Sequence, residues 1–315
     1  MPEEVTRLSI SEAWLVSGCL LAEGPLYDAA QEAILFVDIK RKQIHVAEIS
    51  HSKAHKLIQL EDAVGVMALM ESSDEQIIVA AKRGFATLTL ADGELTYVKR
   101  VYENDPAMEE QMRFNDGVVD SKGRFWAGTM ADFHASDVKR QGTLFRYDPD
   151  GSLHVMIEHA ICPNGMGWSP DRRIFYYTDS SDGTIYAYDY EEQSGQISNR
   201  RVFLEVDEPQ LPGAGAKPVP DGCAIDAMGG LWIALWNGGK VIHVSPSGEK
   251  LGEIHFPALK ITCPAFGGRD FDELFVTTAA LDDEEAEAKK LYRGNGDVYR
   301  VKAGVKGLPR HKFGA

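Results

Sequence analysis

The sequence predicts an all-β fold, a six-bladed β-propeller made of four-stranded antiparallel blades. Two observations carry that expectation. Strand-like runs rich in β-branched and aromatic residues begin at Ile34, Gln76, Arg124, Ile174, Leu231 and Leu274, with a mean spacing of 48 residues. About ten residues ahead of four of the six lies an acid or amide with glycine one or two places later. Turn, strand, turn and strand in a period of roughly 45–50 residues describe one blade, and a ring of blades leaves no long open sheet edge.

Taken in chain order, the apolar run Leu8–Ser17 is left over at the start and is expected to complete the last blade, beside a strand near Asp297–Val301. Residues 1–315 then form a single domain whose ring closes by pairing of N- and C-terminal strands. Polar turns (DAAQEA, ESSDEQ, DSKG, SPDRR, DAMGG) precede most of the strand-like runs. Further strand candidates follow at 43–47, 184–188, 240–244 and 297–301. Only Asp283–Leu291 looks helical, with a charged, solvated face. Two long connections, Glu103–Met112 and Glu208–Pro220, stand just before polar motifs and suit rims or lids.

Composition narrows the partners. Forty-eight acidic against 33 basic residues give a formal charge of −15, and no Lys/Arg cluster offers a face for nucleic acid or anionic lipid. No run of 18 apolar residues could span a membrane, and Met1–Val5 with its two acids does not read as a secretory signal. Four cysteines without C-x-x-C spacing fit buried, reduced thiols and a cytoplasmic setting. A neutral small molecule and a cation are the expected partners, for a monomer or weak homodimer.

In a propeller the first strand of each blade lines the central channel. Counting back from the second strands places Glu23, Asn115, Asn164 and Asp221 in one register, with Val64-Gly65 and Cys263-Pro264 at the two remaining positions. Glycine beside them permits close backbone approach at the axis. Buried without compensation, such groups would each cost several kcal/mol, which a bound cation removes. Glu23, Asn164 and Asp221 therefore form a candidate metal site. Its donors are all oxygen, so one divalent cation is expected, Ca²⁺ first, with Mg²⁺, Mn²⁺ or Zn²⁺ as alternatives. Three protein ligands would leave the shell open for catalysis.

At these residues the chain resembles the regucalcin/gluconolactonase/luciferin-regenerating enzyme family of six-bladed propellers. The matching phrases are EGPLYD at 23–28, LFVDIK at 35–40, RFNDGVVDSKGRFWAGTM at 113–130, NGMGWSPDRRIFYYTDS at 164–180, QISNRRVF at 196–203, PDGCAIDAMGGLWIALWNGGKV at 220–241 and CPAFGGRD at 263–270. The resemblance implies a carbohydrate-metabolism hydrolase that opens sugar-acid lactones with one divalent cation, held by residues matching Glu23, Asn164 and Asp221. It also implies substrate contacts from Arg113 and Asn115. Animal regucalcins follow G-T-M with Ala-Glu-Glu, whose glutamate helps hold the sugar. This chain has Ala131-Asp132-Phe133, so an apolar ring replaces a polar contact and Asp132 is the candidate substitute.

The expected mechanism has water attacking the lactone carbonyl, with Asp221 as catalytic base as well as ligand. Two rival readings are a calcium-binding regulatory protein and a metal-dependent organophosphate or other ester hydrolase. His51 and His55 read as a solvent-exposed pair, and Gly213-Ala214-Gly215 lacks the strand and helix of a nucleotide cradle. No serine lies in G-x-S-x-G. Trp126, Trp168 and Trp232 read as core, and Trp236 as core or rim.

Overall fold

Six sheets follow one another along the chain in a computed structural model that describes residues 6–50, 55–135 and 141–314. The first blade comprises Ala22–Asp28, Ala33–Asp38, Gln43–Glu48 and His55–Gln59, and the second Val64–Met70, Ser73–Ala81, Gly84–Thr89 and Leu95–Arg100. Met112–Val119, Phe125–Ala131, Gly142–Tyr147 and Leu153–Ala160 make the third. The fourth holds Pro163–Trp168, Ile174–Asp179, Thr184–Glu191 and Gln196–Glu205. The fifth holds Val219–Ile225, Leu231–Trp236, Lys240–Val244 and Lys250–His255, and the sixth Ile261–Gly267, Glu273–Thr278 and Val298–Lys302. Each innermost strand packs on the innermost strands of both neighbours, and Ala22–Asp28 meets Ile261–Gly267 to close the six-bladed β-propeller.

Alternate residues of each blade enter the seams between blades, where Leu35, Val37 and Val79 pack in one apolar cluster and Ile233, Leu235 and Tyr176 in another. The polar turns ahead of the second strands have a shared chemistry. In DSKGRFW, Asp120 accepts the backbone N–H of Arg124 at 3.1 Å and the indole N–H of Trp126 at 2.9 Å. In DAMGGLW, Asp226 accepts Gly230 N–H at 2.9 Å and Trp232 indole N–H at 3.1 Å. One carboxylate thus closes the turn and anchors a tryptophan six residues on.

Asp226→Ala should lower unfolding stability by about 2–4 kcal/mol in a denaturant melt, because the indole N–H and the 3.0 Å partner His243 both lose their acceptor. Burial pushes the Asp226 pKa up, but hydrogen bonds from His243, Gly230 and Trp232 outweigh it and hold the carboxyl below its ordinary value. Its contribution is therefore complete above the unfolded-state carboxylate pKa and is lost as pH falls through the folded value. A melt of the variant should differ least from the parent in acid.

Ring closure divides the N-terminal run instead of using it as one strand. Leu15 exchanges two backbone hydrogen bonds with Val298, at 3.1 and 3.0 Å, so the sixth blade gains a short antiparallel fourth edge there. Thr6–Ser9 departs from expectation and runs parallel to Lys250–His255 of the fifth blade. This pairing covers what would otherwise be an open edge of that blade, and Glu253 on it holds Arg7 at 3.0 Å. Between the two pairings, Ile10 and Ala13 lie against the apolar cluster of Phe256 and Tyr299.

The C-terminal residues cross the face at which the innermost strands end. Gly307 N–H donates to Phe271 O at 2.8 Å, Phe313 N–H to Leu69 O at 2.8 Å, and Gly314 N–H to Gly123 O at 3.0 Å. Phe313 also stacks on Tyr147 at 5.6 Å. The strap therefore ties the sixth blade to the second and third.

The remaining elements are small. The acidic connection at 103–112 contains a helix, Pro106–Gln111, capped by Asp105. The expected helix at 283–291 is shorter, Ala286–Leu291. In the 208–220 connection Glu208 holds Lys240 at 2.8 Å and Lys250 at 2.9 Å. His51 lies outside the described residues. Among the described residues no helix is long and apolar enough to cross a membrane.

Candidate metal and substrate site

All six innermost strands lose register with their partners at the same step. The shifts fall at Glu23/Leu26, Val64/Val66, Phe114/Gly117, Asn164/Met166, Pro220/Cys223 and Ile261/Pro264. A bulge there re-aims the side chains beside it. In four blades the affected residues include Glu23, Asn115, Asn164 and Asp221, and all four side chains are buried. Glycine makes the approach of neighbouring blades tight. A Cβ on Gly65 would sit 2.3 Å from Asn115 O, and one on Gly222 would sit 2.4 Å from Cys263 Sγ.

Glu23, Asn164 and Asp221 come together in a cavity of about 390 Å³, with Arg113 and Asn115 on its wall. Burial, followed by the charges of Asp221 and Asp116, holds the Glu23 carboxyl well above the usual carboxylate range. Burial and then Asp116 do the same to Asp221, against hydrogen bonds from Asn164 and Gly222. Asn164 donates from Nδ2 to Ser180 Oγ at 3.0 Å, while its Oδ1 has no partner although buried. Two buried carboxylates and an unpartnered buried carbonyl oxygen face one space. That donor set fits a hard divalent cation, which would neutralise the carboxylates and occupy the amide oxygen.

The wall formed by Arg113 and Asn115 is preorganised. Arg113 donates from Nη1 to Phe114 O at 3.0 Å and to Asn115 Oδ1 at 2.9 Å, and Asn115 Nδ2 donates to Pro163 O at 2.9 Å. Both side chains are thereby fixed, yet Arg113 Nε–H has no hydrogen-bond acceptor. The guanidinium lies over the Phe133 ring at 4.5 Å, and Phe133 lines the cavity together with Lys40 and Trp236. Asp132 stands behind Arg113. It pairs with Lys82, lies 3.9 Å from Arg113 Nε, and is not among the residues that line the cavity.

Sequence reasoning missed Asp116, Ser180 and Lys40. Asp116 is buried, accepts Gly117 N–H at 2.7 Å, and has its pKa raised chiefly by burial. Its place directly after Asn115 was the available signal. Ser180 and Lys40 stand just past the ends of second strands, at the same end of their blades as the metal residues, and strand counting from the turns does not reach them. The expectation for His55 also changes. It is half-buried and contacts His45 at 2.9 Å.

The profile described as "SMP-30/Gluconolactonase/LRE-like region" matches residues 21–280. Regucalcin of Bos taurus is 34% identical over 306 residues, covering 96% of this chain and 97% of its own length. The Bacillus subtilis protein YvrE, named as a candidate sugar lactone lactonase, is 34% identical over 85% of this chain and 86% of its own. A solved luciferin-regenerating enzyme superimposes with a TM-score of 0.83 at 31% identity, covering 93% of this chain and 95% of its own.

Proposed function

Because the chain belongs to the SMP-30/gluconolactonase/LRE-like family, we propose that it is a divalent-cation-dependent hydrolase that opens sugar-acid lactones by addition of water. The observation that carries this reading is the convergence of buried Glu23 and Asp221 with the unpartnered Asn164 Oδ1, beside a fixed Arg113 and Asn115. A cation bound by Glu23, Asn164 and Asp221 would supply Lewis-acid stabilisation of the charge that develops on the lactone carbonyl oxygen. Ca²⁺ is the first candidate from the oxygen-only donor set.

The protein's own groups do the rest. Asp221 takes a proton from the attacking water, with its carboxylate held in the cavity beside the candidate cation position. Arg113 lines the cavity and offers its guanidinium to a substrate oxygen, and Asn115, held by Pro163 O, sets the position of that arginine. Phe133 and Trp236 offer apolar faces to the carbon skeleton and exclude water from it. Sugar hydroxyls are thus read by Arg113 and Asn115, and ring carbons by the faces of Phe133 and Trp236.

A panel of five- and six-carbon aldonolactones, assayed by acid release with Ca²⁺, Mg²⁺, Mn²⁺ or Zn²⁺ restored after chelation, tests the reading. At least one lactone should open well above its spontaneous rate, and a chelator should return it to that rate. Tight calcium binding with every lactone left at the spontaneous rate would instead favour a calcium-binding regulator.

A further inference from the structure

A second cluster of metal-ligand chemistry lies away from the channel. It sits where the N-terminal segment passes from the sixth blade to the first. Cys19 is tied to the sixth blade by its N–H, which donates to Gly296 O at 2.8 Å, and Ser17 Oγ donates to the same oxygen at 2.8 Å. Asp38 and His45 belong to the second and third strands of the first blade. All three side chains are buried, and one ligand atom from each lies within 4.8 Å of the others.

We infer that Cys19, Asp38 and His45 form a second metal site, for a borderline thiophilic divalent ion of the Zn²⁺ type. The Cys19 Sγ to His45 Nε2 distance is 3.5 Å. A tetrahedral ion with bonds of roughly 2.3 Å to sulfur and 2.0–2.1 Å to nitrogen would hold those atoms ~3.5 Å apart. The edge is already at coordination length. The opposite nitrogen of the imidazole is occupied, since His45 Nδ1 meets His55 Nε2 at 2.9 Å. Phe36 stacks on His45 at 4.5 Å, so the ring plane is fixed as well. A ligand histidine held through its second nitrogen is the usual arrangement in built metal sites.

Asp38 is equally constrained. It accepts Leu20 N–H at 2.8 Å, Leu21 N–H at 3.2 Å and Arg41 N–H at 3.1 Å. A carboxylate has about four acceptor positions, so one remains for an ion, with Arg41 Nη1 3.7 Å from Oδ2. Burial pushes the Cys19 thiol up to about 12 and the His45 imidazole down to about 4. A ligating imidazole binds in its neutral form, and an entering ion would displace the thiol proton to solvent. His55 borders a surface cleft beside Glu48 and Lys56, so the cluster abuts water through that ring.

The two sites select different ions. A thiolate–imidazole pair disfavours Ca²⁺ and Mg²⁺, which take oxygen, while the channel site has no histidine. An ion at Cys19 would join a segment tied to the sixth blade to two strands of the first, and so staple the ring at its closing seam. The inference does not depend on the lactonase reading, because its readouts are spectral and thermal.

Cobalt(II) titration of chelator-stripped protein is the test. Wild type should develop a thiolate-to-cobalt charge-transfer absorption that saturates at one equivalent and is erased by Zn²⁺. The band should persist in Cys162→Ser, Cys223→Ser and Cys263→Ser and in Glu23→Gln, and vanish in Cys19→Ser. Zn²⁺ should raise the Tm of Glu23→Gln and fail to raise that of the double variant with Cys19→Ser. Absence of the band from wild type, its survival in Cys19→Ser, or its loss in Cys162→Ser overturns the assignment. Should Cys19→Ser not fold, the wild-type band and its persistence through the other three cysteine variants decide the matter.

Discussion

Asp221→Asn is expected to lower kcat/KM for the best lactone by about 10²–10⁴-fold at saturating cation while stabilising the metal-free protein. The loss follows from removal of the proton acceptor, since carboxylate general-base catalysis contributes on that scale. Asparagine keeps an oxygen for the cation, so raising the cation concentration should restore binding and leave the rate low. Full recovery of rate at high cation would show that Asp221 serves as ligand alone. The gain in stability has the opposite origin. Glu23, Asp116 and Asp221 are buried in one channel, and each raises the cost of ionising another. An amide removes one charge, and relief of this kind at functional sites commonly gives about 0.5–2 kcal/mol. In the metal-free fold the raised carboxyls still hold protons at pH values where the unfolded chain has released them. Raising pH above the ordinary carboxylate range therefore lowers stability, and the advantage of Asp221→Asn should grow with it. Added Ca²⁺ should reverse the order, stabilising wild type more than the variant.

Gly65→Ala is expected to be among the most damaging single-methyl changes in the protein, although Gly65 touches neither water nor substrate. The added carbon would meet Asn115 O at 2.3 Å and Phe114 O at 2.6 Å. Backbone carbonyls of a packed neighbouring strand have no rotamer to escape into, so the second and third blades must part. Overpacking typically costs about 1–3 kcal/mol, and rigid backbone neighbours place this case at the upper end. Because Arg113 hydrogen-bonds both Phe114 O and Asn115 Oδ1, the displacement should also raise KM for the lactone. Thermal melting together with a kcat and KM split checks both effects. An unchanged Tm would mean that the innermost strands slide past one another more readily than their packing indicates.

The blade architecture was legible because each blade repeats the same two signals. A polar turn ends in an apolar run, and a glycine phrase stands about ten residues before it. Expected second strands at Ile174 and Leu231 begin there, and those expected at Ile34 and Leu274 begin one residue earlier. Counting back from them located Glu23, Asn115, Asn164 and Asp221 because a blade height is a fixed number of residues. The contacts that escaped are those set by partners from other parts of the chain. Asp132 is adjacent to Phe133 in sequence, yet its carboxylate pairs with Lys82, fifty residues away. His55 looked like a surface residue because its strand is mostly exposed, and only pairing of the third and fourth strands places it on His45. The parallel docking of Thr6–Ser9 depends on an edge supplied by residues 250–255, which no local pattern announces.

The joining of Leu15 to Val298 has a consequence for biogenesis. Leu15 receives its partner only when all the blades between it and Val298 have been made, and the strap at 307–314 arrives later still. During synthesis the first five blades therefore wait as an open arc with both flanks exposed, a state prone to pairing with other nascent chains. Sealing becomes a late, all-or-none event whose loop spans every blade between Leu15 and Val298. Conditions that slow synthesis of the sixth blade, from Ile261 onward, should then raise aggregation far more than equal delays earlier in translation.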